Sequence, residues 1–203
     1  GTEADMLSVK AMRERFQLSG TTTMLTVARL VRRKGIDTVL EALAHVHQDM
    51  KNVGYLIVGD GPERAKLEEQ ARGLGLNHVV HFLGAVDEAL LPTLYALSDV
   101  FVLTPHASAD SRDPEGFGIV YLEANAFGKP VVASRTGGVP EAVQNGVTGM
   151  LVPPDNPQAL AEALSTLLKD AALRSRLGTS GQQYVREHCQ WSQRIQPLLM
   201  RLE

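Results

Sequence analysis

The sequence predicts an α/β fold, a single doubly wound, Rossmann-like parallel sheet of about six strands with helices on both faces. Three observations carry this. Short apolar segments alternate with segments of helical spacing along the chain. The short segments are largely apolar on both faces and lack a regular polar alternation, as strands covered on both faces require. Glycine and proline punctuate the boundaries, with proline near helix starts and glycine past helix ends.

In order, residues 1–20 are mostly polar, with a short helix expected at Ser8–Phe16. Met24–Ala28 reads as the first strand, and Ile36, Val39, Leu40, Leu43 and Val46 follow at helical spacing. Val53–Val58 is the second strand. A helix starts near Pro62 with Glu63 in its first turn and Gly75 past its end. Val79–Leu83 is the third strand and Asp87–Ala96 the third core helix, with Pro92 inside it. Val100–Leu103 is the fourth strand. A polar loop, Pro105–Pro114, leads to a helix from about Phe117 to Phe127, closed by Gly128. Val131–Ala133, a short helix at Pro140–Val143, and Gly149–Val152 follow. Helices are expected over Gln158–Lys169 and Ala172–His188, then a tail helix bearing Trp191, Ile195, Leu198, Leu199 and Leu202. The domain therefore covers residues 21–187, with 1–20 as an entering linker and 188–203 as the tail.

Composition narrows the function. The 203 residues are 44% hydrophobic and 21% charged, typical of a globular chain that buries a core. A net charge of −3 gives no basic field for nucleic acid. Cys189 is the one cysteine, so no internal disulfide forms, and a reducing, cytoplasmic setting is expected. No apolar run of about 18 residues marks a membrane span, and the first residues lack a signal-peptide pattern.

In a doubly wound sheet, ligands bind outside the C-terminal strand ends. After the first strand, where a dinucleotide enzyme carries Gly-x-Gly-x-x-Gly, stand Arg29, Arg32, Arg33 and Lys34 before Gly35. Cationic side chains can hold phosphates by direct charge pairing; a solvated basic turn is the equal alternative. After the second strand, Gly59-Asp60-Gly61-Pro62-Glu63-Arg64 begins like a glycine fingerprint, but Arg64 replaces the third glycine. A tight turn into a helix is the better reading there.

After the fourth strand lies Glu115-Gly116-Phe117-Gly118-Ile119-Val120-Tyr121-Leu122-Glu123. A helix start offers unpaired N–H groups and partial positive charge, and Gly116 and Gly118 leave it open to an anion. Glu115 and Glu123 are on the order of 10 Å apart along that axis. A diphosphate at the helix start would lie between them, with hydroxyls on either side accepted by the two carboxylates. A sugar–diphosphate–ribose ligand has that order. The alternative is a helix-start charge and a solvated face, which the largely apolar helix around Glu123 disfavours. Thr136-Gly137-Gly138-Val139-Pro140-Glu141 is either a further phosphate- or sugar-approaching turn or a plain helix start. None of the six histidines has metal-ligand spacing, and His106 is expected to carry no defined role.

These pieces occur together in a recognisable order. Ala28-Arg29-Leu30 through Lys34-Gly35, Gly59-Asp60-Gly61-Pro62, Phe82-Leu83-Gly84, Glu115 to Glu123, Gly137-Gly138-Val139-Pro140-Glu141 and Gly146-Val147-Thr148-Gly149 resemble the C-terminal domain of family-four retaining glycosyltransferases of the GT-B fold. The resemblance spans about residues 20–190 and is strongest to bacterial phosphatidylinositol-mannoside mannosyltransferases. It implies that Arg29 and Lys34 bind the donor diphosphate and stabilise the leaving nucleotide. Glu115 would hold the transferred sugar. Backbone of Gly116, Phe117 and Gly118 would meet sugar and phosphate, and Ile119 the phosphate side. Glu123 would take the ribose, and Val86 the base through its backbone. Glu88 falls where a carboxylate accepts from guanine.

The resemblance further implies a GDP- or UDP-hexose donor, no metal and no cofactor. The partner is an N-terminal Rossmann-like domain that supplies the acceptor site and any peripheral membrane contact; the tail helix would pack on it. Without that domain, the chain is expected to bind donor but not to catalyse transfer. The rival readings are a sugar-nucleotide epimerase, a disaccharide phosphorylase, and a non-catalytic nucleotide-sugar-binding module. A dehydrogenase is disfavoured by the absent glycine fingerprint.

Overall fold

The computed structural model describes residues 3–107 and 118–189, with 3–8 as backbone only. The elements are α1 (Glu3–Arg15), β1 (Thr22–Val27), α2 (Ile36–Asp49), β2 (Val53–Val58), α3 (Arg64–Gly73), β3 (Val80–Gly84), α4 (Leu91–Leu97), β4 (Val100–Leu103), α5 (Ile119–Ala126), β5 (Val131–Ser134), α6 (Val139–Ala142), β6 (Gly149–Val152), α7 (Pro157–Lys169) and α8 (Ala171–His188). The sheet order is β3-β2-β1-β4-β5-β6, and every pairing is parallel. This is the predicted doubly wound, Rossmann-like α/β sheet.

The two-sided apolar strands explain the layers. Successive side chains of a strand point to opposite faces. Met24, Ile57, Val100 and Val132 enter one core with Val39, Leu40 and Leu43 of α2, Leu67 of α3 and Leu160 and Leu164 of α7. Leu25, Leu56, Phe101 and Val131 enter the other with Leu94 and Tyr95 of α4 and Tyr121 and Ala124 of α5.

Local chemistry sets the boundaries. Asn156 and Asp170 accept from Ala159 and Leu173 backbone N–H groups, capping α7 and α8. The helix expected over Asp87–Ala96 is a 3-10 turn at Glu88–Leu90 followed by α4. That break puts Pro92 in the first turn of α4, where its missing N–H costs no hydrogen bond.

The helix expected from Ser8 begins at Glu3 and belongs to the packed structure. Val9, Met12 and Phe16 join the second core. The Arg13 guanidinium donates to the carbonyls of Leu97 (2.7 Å), Thr21 (2.7 Å) and Leu18 (3.2 Å), fastening α1 to the end of α4 and the start of β1. The tail residues Trp191, Ile195, Leu198, Leu199 and Leu202 lie outside the described residues. Among the described residues, no helix is long and apolar enough to cross a membrane.

Candidate functional site: the crevice between β1 and β4

Neighbouring strands β1 and β4 send their following helices to opposite faces: α2 belongs to the first core and α5 to the second. Two helices diverging from adjacent strands leave a crevice at the C-terminal strand ends, the topological switch point. The basic segment follows β1 and the described residues 118–123 follow β4, so the fold brings the basic turn and the start of α5 to one edge.

The basic segment is a built turn. Leu30 is fully buried, and its N–H and C=O bond to Asp60 O (2.9 Å) and Glu63 N (3.0 Å). The glycine-fingerprint fragment is thus a brace behind the basic turn. Within it, Asp60 accepts from Gly61 N, and Arg64 bridges Asp60 (3.5 Å) and Glu68 (2.8 Å). Arg32–Lys34 form a 3-10 turn ended by Gly35 in the left-handed region, φ 64°. Arg29 is exposed and Lys34 half-buried. Among the described residues, no hydrogen bond or ion pair holds the Arg29 guanidinium.

The tail of β4 is tied to that turn. Thr104 Oγ1 donates to Gly35 O at 3.3 Å, and His106 N donates to Arg33 O at 3.0 Å. The His106 ring lies between two carboxylates: Nε2 is 2.9 Å from Asp37 Oδ1 at the start of α2, and Nδ1 contacts Asp155 in the β6–α7 loop. Asp155 also accepts from Ala107 N at 3.1 Å and has φ 54°, an unusual conformation for a non-glycine residue. Ser134 at the end of β5 donates to Pro105 O. The ends of β1, β4, β5 and β6 are therefore cross-linked by polar contacts around the crevice. His106, for which no defined chemical role is expected from its spacing, is the centre of this strap.

Across the crevice, Gly118 is the N-cap of α5 with φ 72°. A Cβ there would lie 2.4 Å from the Tyr121 ring, so the helix start is bare by steric necessity. Ile119 is 68% exposed, a large apolar side chain left uncovered at the helix start. Glu123, on the second turn, is half-buried and its Oε2 accepts from the Tyr95 hydroxyl at 2.7 Å. Val86 is half-buried against the second core, and Glu88 is exposed in the 3-10 turn before α4. Glu115, Gly116 and Phe117 lie outside the described residues. The sequence reading missed Tyr95, which is buried at 2% exposure. Burial and, second, the bond to Glu123 hold its phenol far above the usual tyrosine range, so it stays a donor.

The family described as Glycosyl transferases group 1 matches residues 9–184. The chain belongs to this family. It is 37% identical over 183 residues to a GDP-mannose-dependent alpha-(1-6)-phosphatidylinositol monomannoside mannosyltransferase of Mycolicibacterium smegmatis, covering 90% of this chain and 48% of that protein. It is 33% identical over 166 residues to an alpha-D-kanosaminyltransferase of Streptomyces kanamyceticus, covering 82% and 41%. The structure superposes on that of Anabaena Alr3699/HepE in complex with UDP and glucose with a TM-score of 0.85 and 28% identity, covering 100% of this chain and 53% of that one. The chain thus spans about half the length of these relatives.

Proposed function

We propose that the chain is the donor-binding part of a retaining, metal-independent hexosyltransferase that uses a GDP- or UDP-hexose. The observation that carries this reading is the pairing of the Arg29–Lys34 turn with the bare, glycine-capped start of α5 across one switch-point crevice. A relative named for GDP-mannose and a superposable protein bound to UDP and glucose support the ligand class.

Arg29 and Lys34 take the diphosphate and stabilise the charge that develops on the leaving nucleotide, the part a metal cation plays elsewhere. Backbone of Gly116, Phe117 and Gly118 meets sugar and phosphate, and Ile119 the phosphate side. Glu115 holds hydroxyls of the hexose and Glu123 those of the ribose. Val86 lies against the base, and Glu88 accepts from guanine when the donor is a GDP-hexose. Residues 21–187 form the donor domain. The 1–20 segment leads in from an N-terminal Rossmann-like domain that supplies the acceptor site, and 188–203 pack back on that domain. Coverage of about half of each relative supports such a second domain. The complete enzyme acts in the cytoplasm, with any membrane contact made by the other domain.

The test is a comparison of Glu115→Ala with the wild type. This reading predicts that sugar-nucleotide binding weakens by about 10-fold or more while free nucleotide binding changes little, since a buried hydrogen-bonded hydroxyl loses its acceptor. Equal weakening of both ligands would remove Glu115 from the sugar.

A further inference from the structure

The carboxylate assigned to ribose is held by a second residue. Tyr95, on α4, is buried at 2% exposure and places its hydroxyl 2.7 Å from Glu123 Oε2. Its ring is fixed by stacking on Phe127, with centroids 5.3 Å apart and planes at 10°, and by Phe101 at 6.0 Å. Phe127, four residues beyond Glu123, is the C-cap of α5. Oε1 has no hydrogen-bond partner among the described residues.

We propose that Tyr95 is a positioning residue for nucleoside recognition: it occupies Glu123 Oε2 and so presents Oε1 to the vicinal diol of a ribose. The inference rests on the donor-binding reading above and deepens it. A glutamate side chain has three rotatable bonds, and ordering it on ligand binding costs affinity. A rigid buried donor removes part of that cost before the ligand arrives. A hydroxyl of the diol then finds an acceptor already oriented, and a nucleotide without the diol gains nothing from it. Tyr95 therefore acts on selectivity for ribonucleotides, through Glu123, and touches no ligand itself.

The experiment compares UDP and GDP with their 2′,3′-dideoxy analogues, and with inorganic pyrophosphate, on wild type, Tyr95→Phe and Glu123→Gln. Tyr95→Phe keeps the ring, its stacking and its volume and deletes one hydroxyl. The wild type is expected to prefer the ribonucleotide, and Glu123→Gln to lose that preference. Tyr95→Phe should lower the preference roughly 3- to 10-fold, the worth of one hydrogen bond, with dideoxynucleotide and pyrophosphate affinity unchanged. A preserved ribo-to-dideoxy ratio in Tyr95→Phe, with the ratio lost in Glu123→Gln, overturns the positioning role and leaves the donor reading standing. Equal loss of all three ligands in Tyr95→Phe assigns the tyrosine to folding and overturns the proposal. Failure of every nucleotide to bind the wild type, as this chain and as the full-length protein alike, overturns both readings.

Discussion

Gly35 and Thr104 stand so close that a Cβ on residue 35 would overlap the Thr104 carbonyl, 1.9 Å from its oxygen. The contact joins the basic turn after β1 to the tail of β4, the two walls of the crevice. Gly35 also has φ 64°, which side-chain-bearing residues adopt at a cost. Gly35→Ala adds a backbone clash to that cost. The expected outcome is a loss of about 2–4 kcal/mol in denaturant unfolding, above the usual penalty of a single substitution. Gly20, with φ 75° but open space around it, is the control and should lose less.

The Arg29 guanidinium is exposed beside the crevice with no partner among the described residues. Arg29→Ala should therefore leave the melting temperature nearly unchanged while weakening diphosphate binding. One charge-assisted contact corresponds to roughly 10- to 100-fold in the dissociation constant. Calorimetry with UDP or GDP measures this directly, and an unaltered constant would take Arg29 out of the site.

His106 joins Asp37, at 2.9 Å, to Asp155. The His106 side chain is 23% exposed and its partners more, so solvent screens the pairs. His106→Ala should cost about 1 kcal/mol of unfolding free energy, and Asp37→Ala in that background little more, because the two changes remove a shared contact. Additive losses in this cycle would mean that the strap is not a unit.

Burial lowers the proton affinity of His81; burial first, then Lys51 and His78, does the same for His47. A histidine whose folded value is depressed binds fewer protons folded than unfolded. Stability is then greatest above the ordinary histidine value of 6.5 and falls as pH drops below it. Thermal melts from neutral to mildly acidic pH should show this decline, and His81→Gln should flatten it. A stability that rises on acidification through this window would contradict the assignment.

The sheet was legible because its strands are largely apolar on both faces, a pattern that needs no distant partner to be seen. Leu25 and Met24, adjacent in sequence, feed opposite cores as that pattern requires. Helix starts were less legible. Pro92 and Pro62 both signal a helix, yet one falls in the first turn of α4 and the other ahead of α3, because proline fits a first turn and a preceding turn alike. At the site, Arg29, Lys34 and Glu123 stood out as charges at strand and helix ends. Tyr95 did not, since an aromatic residue in a core helix reads as packing, and its hydroxyl meets a residue 28 positions away. His106, Asp37 and Asp155 come together from separations of 69 and 49 residues, which no local spacing reveals.

Donor binding at the crevice is measured most directly by calorimetric titration of this chain with UDP, GDP and ADP and their hexose conjugates in the presence of a chelator. Saturable binding of one nucleotide class is expected, weakened by Arg29→Ala and by Glu123→Gln. Absence of binding by every nucleotide and conjugate, for this chain and for the full-length protein alike, would contradict it.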